Sequence, residues 1–309
     1  MVEEKFKFSK YIREKCPVCL SANTRMIGKK ESSATGIVFS IARCDACESA
    51  FVVDPIHPAH LDQIYSSDYF SGKGLDSKAN YLDNIHSGQK YFFEKYDWQI
   101  GSEIFNQNIG AHPNWLDIGC ALGNTLDWAK NRFDANTYGI ELSSYAAKFA
   151  SDRGHIIIGK NIEEETVENY YNFFNIVTCY EVMEHLYDPV IFTRRVANLL
   201  KEGGLFHYST SAPPNDADML DWHYLRPEVH ITFYSSKGIK ILFNNCGMDP
   251  KIRIRKYKVS TLEGFKYYDP YKTISARAVK IKKLMMRIPF VDYGLSCVRP
   301  RLPIGFKKK

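Results

Sequence analysis

The chain has 309 residues, 45% of them apolar, and a formal charge of +6 at neutral pH, enough to bury a full core in one large domain with a smaller module beside it. No run of 18 apolar residues occurs, and the start, Met1-Val2-Glu3-Glu4-Lys5, has no signal-peptide core. On this reading a membrane-spanning or secreted protein is excluded and a cytoplasmic one expected. The charge is uneven: Lys251 to Lys309 carries 17 Lys/Arg against three Asp/Glu, and the preceding 250 residues carry 24 against 32. Such a basic tail suits an anionic contact (a phosphorylated substrate, nucleic acid or a membrane surface) or is simply a solvated face.

In chain order, residues 11–53 hold two knuckles, Cys16-Pro17-Val18-Cys19 and Cys44-Asp45-Ala46-Cys47, separated by 24 residues. Paired C-x-x-C steps let four thiolates close tetrahedrally on one zinc ion, with a small β-ribbon between them. Disulfides are disfavoured in a cytosolic chain, and a four-thiolate site has no open position. Cys16, Cys19, Cys44 and Cys47 are therefore expected to hold a structural Zn2+. Few cations accompany the ribbon (Lys15, Arg25, Lys29, Lys30, Arg43), a poor footprint for a phosphate backbone. The single cysteines Cys120, Cys179, Cys246 and Cys297 read as core residues, although Cys120 falls in a glycine turn. After breaks at Asp54-Pro55 and His57-Pro58, residues 54–112 read as an irregular, tyrosine-rich helical cap containing Leu61, Ile64, Tyr65, Tyr69, Phe70 and Tyr91-Phe92-Phe93. These aromatics either lie over a ligand crevice or pack the ribbon onto the core.

Residues 113–258 then alternate strand and helix: 114–118, 124–132, 137–141, 144–152, 155–158, 174–179, 189–201 and 204–209. Such alternation marks a parallel sheet with helices on both faces. The first strand runs into the turn Asp117-Ile118-Gly119-Cys120-Ala121-Leu122-Gly123, where glycines permit positive φ and close approach of a ligand. The spacing lacks the G-x-G-x-x-G order that seats a pyrophosphate. Glu141 ends the next strand about twenty residues on, where an acid suits two ribose hydroxyls. A nucleoside crevice at the carboxyl edge of the sheet is predicted. Downstream, Asp188-Pro189 reads as an N-cap with proline at the first helical position. Phe192, Val196 and Leu199 repeat at helical spacing, and Gly203-Gly204 is expected to close that helix.

The segments LDIGCALGN, YGIELS, FNIVTCYEVMEHLYDP and LLKEGG resemble the class I S-adenosylmethionine-dependent methyltransferases over roughly residues 113–258. The resemblance implies an α/β fold: a Rossmann-like, seven-stranded sheet with a small N-terminal zinc ribbon, a helical cap and an antiparallel last hairpin, placed at 250–257 and about 294–299. It implies that Asp117, Gly119 and Gly123, with Cys120 and Ala121 in the same turn, line the methionine end of S-adenosyl-L-methionine. Glu141, followed by Leu142, would take the ribose hydroxyls, Asn161 and Ile162 the adenine, and Tyr180-Glu181 the sulfonium side. Ala121 stands where the family usually has its middle glycine, and Asn161 near where relatives often carry Asp. Tyr65-x-x-x-Tyr69-Phe70 resembles a cap element of relatives and brings Tyr65 and Tyr69 toward the acceptor. Residues 259–309 form a basic C-terminal extension that includes the last strand, with Ile274 to Ile288 read as an amphipathic surface helix.

Methyl transfer from a sulfonium is an in-line displacement, so the protein aligns the partners, excludes water and, for a hydroxyl, removes a proton. For Glu181-Val182-Met183-Glu184-His185 the resemblance implies mainly cofactor-side scaffolding or a helix-start interaction. The loop from Thr210 to Ser235 is richer, with Asp221, Trp222, His223, Tyr224, Arg226, Glu228 and His230, and loops of this length tend to be functional. Imidazole is the natural proton acceptor and a carboxylate can orient it. His230 is the first candidate base and His223 the second, with Glu228 as the carboxylate; the plain alternative is a histidine bridging loop backbone. The ribbon, the Tyr-Phe cap and the Glu-x-His loop resemble sugar and natural-product methyltransferases. Against zinc-bearing sugar C-methyltransferases, Arg226-Pro227-Glu228-Val229-His230 has an inserted Val and lacks a Tyr, so O-methylation is favoured. The expected partner is a small polar acceptor, a sugar or its phosphorylated or nucleotide-linked form, gripped by Arg226, Arg194 or the basic tail. Nucleic acid is disfavoured. An RNA methyltransferase, or a zinc-ribbon binding protein with a degenerate cofactor pocket, are the rival readings.

Overall fold

In a computed structural model the protein is described over residues 8–71, 73–75, 104, 109–251 and 304–308. Four antiparallel-paired strands build the N-terminal ribbon: β1 (Thr24–Glu31), β2 (Val38–Cys44), β3 (Ala50–Val52) and, from far along the chain, β9 (Thr232–Phe233). The register sets Ala50 against Phe233 and Phe51 against Thr232. This fourth strand is absent from the sequence reading, because two residues carry no periodicity. Short helices α1 (Leu61–Ile64) and α2 (Ser67–Phe70) follow the ribbon in the chain. Tyr91, Phe92 and Phe93 lie outside the described residues.

The second sheet has seven strands. Its parallel part comprises β4 (Asn114–Ile118), β5 (Asn136–Ile140), β6 (Ile156–Gly159), β7 (Phe174–Tyr180) and β8 (Leu200–Ser209). Helices α3 (Asn124–Phe133), α4 (Ser144–Asp152), α5 (Glu165–Glu168), α6 (Pro189–Leu199), α7 (Asp216–Met219) and α8 (Ser236–Asn245) occupy the connections. The last hairpin pairs β10 (Met248–Lys251) with β11 (Ile304–Lys308), and β11 inserts beside β8, giving the order β10-β11-β8-β7-β4-β5-β6. The hairpin partner is thus 304–308 rather than 294–299; the latter residues and the Ile274 to Ile288 stretch lie outside the described residues.

Local chemistry accounts for the elements. Asp188 caps α6 by accepting from Val190 N at 3.0 Å and Ile191 N at 2.8 Å, satisfying two of the orphan donors at a helix start. Gly203-Gly204 does not end that helix. The chain passes directly from Leu199 into β8, and the register with β7 jumps from Phe174↔Leu200 to Ile176↔Leu205. The two glycines therefore lie in a bulge, with Gly203 at φ +71°. Trp115 on β4 is fully buried and meets Trp128 and Phe133 of α3 at centroid distances of 5.7 and 5.2 Å. On the core near β8, Phe206, Tyr208 and Phe243 stack; each buried Phe contributes roughly 1.5–3 kcal/mol. The described residues belong to one compact unit, and among them no helix is long and apolar enough to cross a membrane.

Candidate active site

The strand order reverses between β4 and β7, and ligands of open α/β sheets sit outside the carboxyl ends of strands at such a switch point. The glycine turn lies there. Gly119 has φ +70°, and a Cβ would stand 2.5 Å from Val182 Cγ2; both the conformation and the close approach require glycine. Ala121 adopts φ +46°, the left-handed region at a place where the resemblance leads one to expect glycine. Cys120 is buried with its side chain against Gly139, so only its backbone belongs to the turn's outer face.

Glu141 is 6% exposed, and both its oxygens are tied to main chain: Oε2 accepts from Ala121 N at 2.8 Å and Oε1 from Ser143 N at 2.9 Å. Each carboxylate oxygen still offers a second lone pair. Leu142 is half-buried beside it. Asp117 is buried and accepts from Thr178 Oγ1 at 2.6 Å, while Trp115 Nε1 donates to that same hydroxyl at 3.0 Å. Asn161 is exposed and accepts from Glu163 N at 3.1 Å, and Ile162 is buried. Tyr180 ends β7 with its hydroxyl 3.0 Å from His207 Nδ1.

Beyond the turn, two loops converge. Tyr224 OH donates to Glu181 Oε2 at 2.8 Å and also contacts Glu184 Oε1, while Thr210 Oγ1 donates to Glu184 Oε2 at 2.9 Å. Glu181 has φ +55° and also accepts from Ser209 Oγ at 2.9 Å. A phenol has one proton, so it serves both carboxylates only if one of them carries a proton itself. Burial, reinforced by the charge of Glu181, pushes Glu184 upward, and burial pushes Asp117 to about 7 from an ordinary 3.8, against the pull of the Thr178 and Thr125 hydroxyls. Both acids bind a proton more tightly folded than unfolded, so their contribution to stability is full below about pH 4 and lost as pH rises through the folded values. The melting temperature of the free protein should fall from pH 5 to 8, and Asp117→Asn should flatten that fall in scanning calorimetry; an unchanged slope in the variant refutes the assignment.

His230 is buried with its Nδ1 at 2.7 Å from the Tyr224 carbonyl oxygen. A carbonyl only accepts, so Nδ1 carries the proton and in the neutral ring the lone pair belongs to Nε2. The orienting group is this carbonyl, where the sequence suggested a carboxylate. Glu228 is nevertheless buried in the same loop. Arg226 Nη2 stands 3.4 Å from His230 Nε2. His223 is exposed. His185, read from the sequence as scaffolding, faces His230 edge-on with centroids 4.9 Å apart, holds its Nδ1 2.8 Å from the Val229 carbonyl, and meets Tyr65 OH at 3.0 Å. Tyr69 is buried and packs on Tyr65 at 5.0 Å. The structure therefore gathers His230, Tyr65 and Tyr69 about His185.

The four knuckle cysteines also converge, with donor sulfurs all within 4.8 Å of one another and the closest pairs at 3.6 Å (Cys16 with Cys47) and 3.5 Å (Cys19 with Cys44). Tetrahedral Zn–S bonds of about 2.3 Å place sulfurs roughly 3.8 Å apart, so the donor set fits such an ion.

A sheet in this order, parallel except for its last hairpin, a positive-φ glycine turn after its first strand and an acid closing the second define the class I fold of S-adenosylmethionine-dependent methyltransferases. Residues 90–250 match the methyltransferase-domain family, and the chain belongs to it. The ubiquinone biosynthesis O-methyltransferase of Thiobacillus denitrificans is 38% identical over 102 residues, covering 31% of this chain and 43% of that protein. Its counterpart in Erwinia tasmaniensis is 31% identical over 125 residues, covering 38% and 48%. The chain thus spans less than half the length of these relatives. A solved S-adenosylmethionine-dependent methyltransferase from Mesorhizobium loti aligns over 69% of this chain and 97% of its own, at 14% identity and a TM-score of 0.45.

Proposed function

We propose that the protein is an S-adenosylmethionine-dependent methyltransferase acting on a small polar acceptor, a sugar or its nucleotide-linked form, with O-methylation favoured. The observation that carries the reading is the Glu141 carboxylate, anchored by two main-chain N–H groups beside the glycine turn, with lone pairs left for a ribose. Asp117, Gly119, Ala121, Gly123, Leu142, Asn161, Ile162 and the Tyr180-Glu181 end of β7 would complete the cofactor site, and S-adenosylmethionine supplies the activated methyl group. His230 acts as the base through Nε2, held by the Tyr224 carbonyl, and Arg226 offers an anion contact next to it. Tyr65 and Tyr69 orient the acceptor from the cap. The four cysteines hold a structural zinc. Three of the ribbon's cations are already engaged: Arg25 and Arg43 on Asp216, and Lys30 on the Leu220 carbonyl. This engagement speaks against a nucleic-acid footprint.

Calorimetric titration with S-adenosylmethionine tests the reading. Micromolar affinity is expected, weakened at least 100-fold in Glu141→Ala, since hydrogen bonds to a charged group contribute about 1.5–3 kcal/mol each. A folded wild-type protein that does not bind the cofactor would leave only a binding module.

A further inference from the structure

We propose that Arg13, in the segment preceding the first cysteine knuckle, is a positioning residue that sets the spacing of His185 and His230 by binding the main chain next to each. The proposal rests on the catalytic role given above to His230. Its Nη1 donates to the Ile231 carbonyl at 2.7 Å and to Thr232 Oγ1 at 3.2 Å; its Nη2 donates to the Leu186 carbonyl at 3.1 Å and the Tyr187 carbonyl at 3.3 Å. Leu186 follows His185 and Ile231 follows His230, so one rigid fork spans the two loops that carry the rings. The loops also meet directly, through Ile231 N donating to the Glu184 carbonyl at 2.8 Å and Thr232 Oγ1 donating to the Leu186 carbonyl at 2.9 Å.

The fork is itself fixed. Arg13 N donates to the Val53 carbonyl at 2.8 Å, and the side chain is 6% exposed, with the guanidinium 5.7 Å from the Tyr187 ring centroid. Every oxygen receiving these bonds is neutral. Burial accordingly lowers the guanidinium to about 10 from 12.5. Burying a charge among neutral groups costs stability unless its donors are satisfied. The two Nη atoms are satisfied, while Nε is buried with no partner among the described residues. Only a planar fork reaches several carbonyls at once. A lysine has one nitrogen to offer and cannot span the two loops.

Each imidazole holds its Nδ1 on a carbonyl, and the fork fixes how far apart the two rings lie. The test uses the full chain, zinc-loaded, as wild type, Arg13→Met and Arg13→Lys. Nitrogen–proton correlation spectra of the imidazoles are recorded, with signals assigned through His185→Asn and His230→Asn. In both Arg13 variants at least one of the two Nδ1–H signals is expected to disappear or shift, while affinity for S-adenosylmethionine stays within threefold. Wild-type imidazole signals in a folded Arg13→Lys or Arg13→Met protein would overturn the proposal. Failure of both variants to fold would overturn it too, making Arg13 a determinant of the fold alone. Because the spectra need no cofactor, a wild type that fails to bind S-adenosylmethionine would sink the catalytic reading separately.

Discussion

Replacing His230 by Asn should lower the turnover of methyl transfer by about 10²–10⁴-fold, the contribution usual for a positioned general base, and leave affinity for S-adenosylmethionine within threefold of wild type. Asparagine is the informative substitution. Its amide can still donate to the Tyr224 carbonyl that now binds Nδ1 at 2.7 Å, so the loop keeps its anchor while the basic Nε2 is gone. The measurement is a rate with the acceptor found by screening, nucleotide sugars first. The limb of the pH–rate profile that reports the base should vanish in the variant. A variant as fast as wild type would remove His230 from the chemistry and turn attention to His185, which the sequence placed in the scaffold. His223→Ala, at an exposed position of the loop, should by contrast change the rate less than about threefold.

Removing the metal from the cysteine cluster should destabilise the protein by about 5 kcal/mol or more, since structural zinc commonly supplies a large part of the folding free energy of the module it closes. For a unit of this size that is a fall of roughly 10–20 °C in melting temperature. Cys44→Ser should reproduce it in the presence of zinc, because Cys44 is fully buried and its sulfur lies 3.5 Å from that of Cys19. The loss should reach the candidate site, because β9 completes the ribbon and Ser235, the cap of α8, donates its backbone N–H to Ser49 Oγ at 3.2 Å. Hydrogen exchange read by mass spectrometry should show residues 224–235 opening together with 16–47. A chelator-treated protein that melts like the untreated one, with one zinc lost per chain, would refute a structural metal.

The parts legible in the sequence are those where local chemistry determines structure. β4, α3 and α4 lie within a residue of their expected bounds, because apolar runs end at a glycine turn or at Ser143, and α6 starts at its Asp-Pro cap. The cysteine cluster was legible for the same reason: C-x-x-C spacing is itself a geometric statement. What sequence reasoning missed is built from main-chain carbonyls. Arg13 binds the oxygens of Leu186, Tyr187 and Ile231, and His230 is oriented by that of Tyr224. Every residue has a carbonyl, so no residue type marks these partners. β9 was invisible because a two-residue strand has no pattern, and the β10 partner was misplaced because some fifty residues separate the two strands. The one available hint was a lone arginine beside Cys16 with no nearby carboxylate except Glu14.

The strand that completes the ribbon is also a statement about time. β3 ends at Val52 and β9 begins at Thr232, roughly 180 residues later, and synthesis at about 5–20 residues per second separates them by roughly 10–40 s. During that interval the edge of β3 has no neighbour, and unpaired strand edges invite pairing with other chains. The thiolates of both knuckles emerge well before β9, so a bound metal would hold the first three strands together while the rest of the chain is made.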